Sequence, residues 1–140
     1  MNHIEQLYLQ IIHNTCTQTS SNITISQDVS ISLINLAQTQ SSLPFLLPYI
    51  KDSSLLANIK YQTKLMMLNY YQIEQFTRRI ADLFDANNIS YILLKGISLA
   101  AFYPVPEYRQ LGDVDIYIND KEMFNRANAP VSYTHLRAHE

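Results

Sequence analysis

The sequence predicts an α+β fold in which a helical N-terminal region, residues 1–88, leads into a shorter stretch of strand and helix, residues 89–130. Three observations carry that expectation. Apolar residues recur at helical spacing through most of the first half. The pattern then switches near Ile89 to a short apolar run followed by strict alternation, and the chain's two glycines, Gly96 and Gly112, both fall after the switch. At 140 residues, 47% hydrophobic and 16% charged, the chain has the size of one domain and enough apolar surface to bury a core.

Ile4, Leu7, Tyr8, Ile11 and Ile12 follow the i, i+3, i+4, i+7, i+8 spacing of one helix face. After a polar stretch from Asn14 to Gln27, Val29, Leu33, Leu36 and Ala37 repeat the pattern, with Asp28 as the expected N-cap. Pro44 and Pro48 bracket Phe45-Leu46-Leu47, where a missing N–H and a fixed φ favour a short turn. A longer helix is expected next, because Met66, Tyr70, Ile73, Phe76, Ile80 and Leu83 form one stripe; Asn87-Asn88 should stop it, since Asn tolerates the left-handed conformation.

Tyr91-Ile92-Leu93-Leu94 reads as a strand buried on both faces, ending at Lys95-Gly96. Ile97 to Tyr103 reads as a helical segment stopped by Pro104 and Pro106. Val114, Ile116 and Ile118 alternate with Asp113, Asp115 and Tyr117, the period of a second strand, and Asp120-Lys121-Glu122 opens a further helix. Strand, helix and strand together suit the first βαβ portion of a larger core.

Composition narrows the function. Twelve acidic and ten basic side chains give a net charge of −2, too weak a field to draw nucleic acid or anionic membrane. The 41 Ser, Thr, Asn and Gln residues supply a neutral polar surface instead. Cys16 is the one cysteine, so neither an intrachain disulfide nor a cysteine zinc cage can form, and with no basic neighbour it reads as an incidental thiol. The N-terminus lacks a signal-peptide pattern and no segment approaches the roughly 18 apolar residues of a membrane span, so a soluble cytoplasmic protein is expected.

The chemistry concentrates between Lys95 and Asp115. Gly96 follows a strand and opens a helical segment, so it is either a tight turn or a place where backbone N–H groups approach a phosphate. Asp113 and Asp115, two apart in a strand-like run, should project from one face, where their repulsion is relieved by solvent or by a divalent cation. Lys95 and Arg109 could each bind triphosphate oxygens or serve as surface ion-pair partners.

In order, Leu94-Lys95-Gly96-Ile97-Ser98-Leu99-Ala100, Tyr103-Pro104, Arg109 and Gly112-Asp113-Val114-Asp115-Ile116 resemble the uncharacterised nucleotidyltransferase family of the DNA polymerase β superfamily, over the stretch from Arg78 to Ile118. The resemblance implies a polymerase β-like core, of which residues 89–130 supply the first strands and helix. It implies that Gly96 and Ser98 hold the phosphates of a nucleoside triphosphate, with Lys95 and Arg109 as further nucleotide-binding residues. Asp113 and Asp115 become the catalytic ligands of Mg²⁺ or Mn²⁺, for transfer of a nucleoside monophosphate to an unknown acceptor hydroxyl. Lys95 departs from the superfamily's commoner Gly-Gly or Gly-Ser turn.

The superfamily's third carboxylate, on a later strand, has no counterpart after Asp115, because Asp120 and Glu122 fall in the next turn or helix. Residues 131–140 resemble translated sequencing-adapter read-through, so the native chain is expected to be truncated near Pro130 and this form inactive. His135 and His139, although spaced i, i+4, are therefore not expected to bind metal, and His3 and His13 have no assigned role. Two other functions compete: a D-x-D glycosyltransferase, which would need a nucleotide-binding α/β region upstream of the acids, and a helical interaction module carrying a degenerate nucleotide-binding remnant.

Overall fold

The computed structural model describes residues 2–19 and 22–131, the side chains of 129–131 apart; the expectations for the remaining tail, His135 and His139 lie outside the described residues. It bears out the α+β class. Five α-helices, α1 (His3–Thr17), α2 (Gln27–Thr39), α3 (Ser53–Ala86), α4 (Gly96–Ala100) and α5 (Lys121–Val131), accompany two strands, β1 (Ile92–Leu94) and β2 (Asp115–Tyr117), among the described residues. No helix there is long and apolar enough to cross a membrane. The chain divides into two compact units, Met1–Tyr71 with Leu99–Leu111, and Gln72–Ser98 with Gly112–Glu140.

The first unit is built on the apolar faces read from the sequence. A reciprocal pair of bonds opens α1: Asn2 Oδ1 accepts from the Glu5 amide and Glu5 Oε2 from the Asn2 amide, both at 2.8 Å, which satisfies two donors the helix cannot. Ile11 of α1, Leu33 and Ala37 of α2, and Ile59 of α3 meet in the core with Leu43, Phe45, Leu46 and Ile50. Burying an aliphatic side chain of this size contributes about 1.5–3 kcal/mol.

Asp28 is not the N-cap of α2. The helix starts one residue before it, after Ser26, so the Asp28 carboxylate lies in the first turn and can act only on the helix dipole. At the other end the chain turns through Ser41 at φ +53°, and Ser42 becomes buried. The Ser42 hydroxyl donates to the Ala37 carbonyl at 3.3 Å and takes a bond from the Tyr8 hydroxyl at 2.7 Å. Leu43–Leu46 is then a 3₁₀ turn with Pro44 in its first positions, as the prolines require.

The same unit takes up Leu99–Leu111. Phe45 meets Tyr103 and Tyr108 with ring centroids 6.1 Å apart in both pairs. Asn69 Nδ2 donates to the Leu111 carbonyl at 2.7 Å, and the Tyr71 hydroxyl to Glu107 Oε1 at 2.8 Å. This segment is irregular because α4 ends at Ala100, short of the expected Tyr103. Phe102 is 84% exposed, so no apolar face extends the helix toward Pro104.

In the second unit, the later turns of α3 bury Ile80 and Phe84 against Ile89 and Ala127, with Phe76, Leu83, Tyr91, Ile116, Ile118 and Met123 around them. Asn88, at φ +52°, ends α3 as expected, and the Ile89 amide donates back to Phe84 at 2.9 Å. Asp120 Oδ1 accepts the Met123 amide at 2.9 Å and so caps α5.

β1 and β2 pair antiparallel, Ile92 opposite Tyr117, Leu93 opposite Ile116 and Leu94 opposite Asp115. Two expectations are corrected here. A βαβ unit would make the strands parallel, but they pair antiparallel, and the α-helix between them, α4, is five residues long. Nor is β1 buried on both faces, since Ile92 is 58% and Leu94 41% exposed. Side chains alternate across a strand: Ile116, with Ile118 beyond the strand, packs on the core from one face, and Ile92, Leu94, Asp115 and Tyr117 share the other.

Tyr91 meets the Phe84 ring edge-on at 5.3 Å. Burial, then the charges of Asp85 and Asp82, push its phenol above the ordinary tyrosine range. The folded state thus keeps the proton that the unfolded chain gives up near pH 10, so the contribution is intact below about pH 10 and is lost as pH rises through the higher folded value. Denaturant unfolding from pH 8 to 11 should show a steeper alkaline loss of stability in the wild type than in Tyr91→Phe.

Candidate functional site

Five of the six residues singled out in the sequence, Lys95, Gly96, Ser98, Asp113 and Asp115, fall in the second unit. Two contacts draw them together. Directly after β1 the chain passes through Lys95 at φ +45° and Gly96 at φ +28°, consecutive left-handed conformations that turn it sharply into α4. A Cβ on Gly96 would lie 3.3 Å from the Asp113 carbonyl oxygen, a tight contact that a side chain would relieve only by moving the turn or the backbone ahead of β2 by a few tenths of an ångström. In the second contact, Lys95 Nζ lies 3.6 Å from Asp115 Oδ2.

β2 begins at Asp115, so Asp113 precedes the strand instead of standing within it. Its side chain is exposed, whereas Asp115 is partly buried. Ser98 turns inward: its hydroxyl donates to the Leu93 carbonyl at 3.1 Å, bracing the start of α4 on β1. Gly112, which seemed informative beside Gly96, is not required sterically, because a Cβ there would meet nothing within 4 Å.

Arg109 belongs to the first unit. It follows a 3₁₀ turn at Pro106–Tyr108, donates from Nη1 to the Tyr103 hydroxyl at 3.1 Å, and stacks its guanidinium over that ring at 5.4 Å from the centroid. Both contacts fix the planar guanidinium at its edge and its face.

Among the described residues, no group of three or more His, Cys, Asp and Glu side chains is arranged to hold a metal ion. Asp113 and Asp115 each carry hard carboxylate oxygens two positions apart in sequence. That suits Mg²⁺ or Mn²⁺ completed by phosphate and water, and does not suit an ion needing a full protein cage. The sequence reading missed the apolar surroundings of Asp115. Ile92, Leu94 and Tyr117 share its face and are all exposed, a feature visible only once the strand register is known.

The match to a family model covers residues 32–129, well over half of the chain, under the description "uncharacterised nucleotidyltransferase". The chain belongs to that family. No curated protein and no solved structure matches it. This nucleotidyltransferase family match starts within α2 and so takes in helices that carry none of the motif residues. Family membership supports nucleotidyl transfer as the general activity and a nucleotide as substrate.

The two glycines separate the turn from its surroundings experimentally. Gly96→Ala should cost about 1–2 kcal/mol, through a strained φ and the Asp113 carbonyl. Gly112→Ala, in open space, should be neutral or slightly stabilising by restricting the unfolded chain. Denaturant midpoints of the two variants check the contrast.

Proposed function

We propose that the chain binds a nucleoside triphosphate with Mg²⁺ or Mn²⁺ at Asp113 and Asp115, for transfer of a nucleoside monophosphate to an acceptor hydroxyl. The observation that supports this most is the close approach of the Gly96 turn to Asp113, together with the ladder pair Leu94–Asp115. A turn without a side chain and a pair of hard-oxygen ligands are thereby held as one local structure, and both parts are what a metal-bound triphosphate needs.

Each residue has a distinct part. Gly96 is assigned to the phosphates through its backbone, and Ser98 holds that turn through its bond to the Leu93 carbonyl. Lys95, on a flexible exposed stem, supplies positive charge to the phosphates. A bound Mg²⁺ would neutralise phosphate charge and orient the α-phosphorus for attack. In the transfer, the acceptor oxygen bonds to the α-phosphorus, the bond to pyrophosphate breaks and the hydroxyl proton departs to base. The superfamily's third acid is assigned to no residue here, so the proposal for these 140 residues is binding without brisk turnover. A glycosyltransferase reading lacks its upstream nucleotide-binding region, because α1, α2 and α3 fill that part of the chain.

Calorimetric titration with Mg²⁺ and a nucleoside triphosphate tests the assignment. Asp115→Asn should weaken metal-dependent binding at least tenfold and Asp113→Asn comparably, since each removes a charged ligand. Glu122→Gln, in the first turn of α5, should match the wild type. Equal binding by all four proteins would remove the site.

A further inference from the structure

The acidic pair is accompanied by a cation from its own chain, and its placement follows from strand register. Leu94 pairs with Asp115 across the ladder, so the next residue, Lys95, emerges at the end of β1 beside that carboxylate. The left-handed backbone of Lys95 and Gly96 turns the chain there, and the lysine stem returns Nζ to 3.6 Å from Asp115 Oδ2. The lysine side chain is 75% exposed and the aspartate 44%, so attraction rather than packing holds the pair. Such exposed pairs are weak and easily exchanged.

We propose that Lys95 guards Asp115: its ammonium and a divalent cation on that carboxylate exclude one another, so Lys95 lowers the affinity for free metal and is released from Asp115 when metal enters with a nucleotide. This rests on the metal reading of Asp113 and Asp115 given above. Two positive charges cannot share one carboxylate within a few ångströms without strong repulsion, and the lysine is the mobile partner. Once displaced, its stem lets the ammonium move to the triphosphate that arrives with the metal. Bare metal is thereby opposed and the metal–nucleotide pair favoured, because only the latter offers the released ammonium a new anionic partner. Lys95 is accordingly a positioning and selectivity residue.

The test uses the whole chain and Mn²⁺ alone, with free Mn²⁺ counted by electron paramagnetic resonance. Lys95→Gln should bind Mn²⁺ about two- to fivefold more tightly than the wild type. Lys121→Gln, which removes a like charge from an exposed lysine in the same unit that has no ion pair with Asp115, should retain wild-type affinity. Unchanged or weaker binding by Lys95→Gln would overturn the proposal, as would equal tightening in both lysine variants, which would reflect overall charge. If Asp115→Asn binds Mn²⁺ like the wild type, the metal reading itself fails and the guard falls with it.

A second readout does not need the lysine variant. In ¹⁵N-lysine spectra of the side-chain ammonium groups, the Lys95 signal should move when Mg²⁺ is added to the wild type. In Asp115→Asn it should start displaced and stay there. A Lys95 signal that holds still while Mg²⁺ saturates the wild type would contradict the exchange.

Discussion

The Asp113 carbonyl oxygen lies 3.3 Å from where a side chain on Gly96 would begin, and the candidate site is built outward from that approach. On one side of the contact is a turn in which two consecutive residues have positive φ; on the other is the extended backbone that becomes β2. The antiparallel ladder holds the two together, since Leu94 just before the turn pairs with Asp115 just after Asp113. Shifting the register by one residue would exchange the two faces of β2, moving Asp115 toward the core and Ile116 to solvent. Anchoring of Ile116 and Ile118 in the core therefore determines where the acids are, and Gly96 determines how near the turn can come.

The charge arrangement follows from the same geometry. Lys95 meets Asp115 because it follows the residue paired with it, whereas Arg109, four positions before Asp113, is directed onto Tyr103. The exposed Ile92, Leu94 and Tyr117 give the acid-bearing face an apolar floor.

Much of the helical structure was legible because amphipathic spacing reports burial directly: Ile11, Leu33, Ala37, Ile80 and the stop at Asn88 all stand where periodicity places them. The strands were harder for a physical reason. Tyr91-Ile92-Leu93-Leu94 has no polar residue to mark a face, so the run reads as buried on both sides whether or not a second layer covers it. Pairing direction is not written in either strand, because it depends on the path of the 20 residues between them. The Asn2–Glu5 capping box was written locally as N-x-x-E and could have been read. The Lys95–Asp115 pair could not, because its partners meet only through the ladder. Motif order also exposed the family over residues 78–118, while the match extends to residues 32–129, since an apolar helix stripe is common to many folds and specific to none.

The central claim is that Asp113, Asp115 and the Gly96 turn make one metal and nucleotide site, and paramagnetic broadening by substoichiometric Mn²⁺ locates that site directly. The account predicts that, in backbone amide spectra taken with a nucleoside triphosphate present, signals of Gly96, Ile97, Ser98 and residues 113–116 disappear first. Amides of α1 and α2 should persist. Broadening centred on another acidic stretch, such as Asp82 and Asp85 on α3, or spread evenly over the chain, would contradict it.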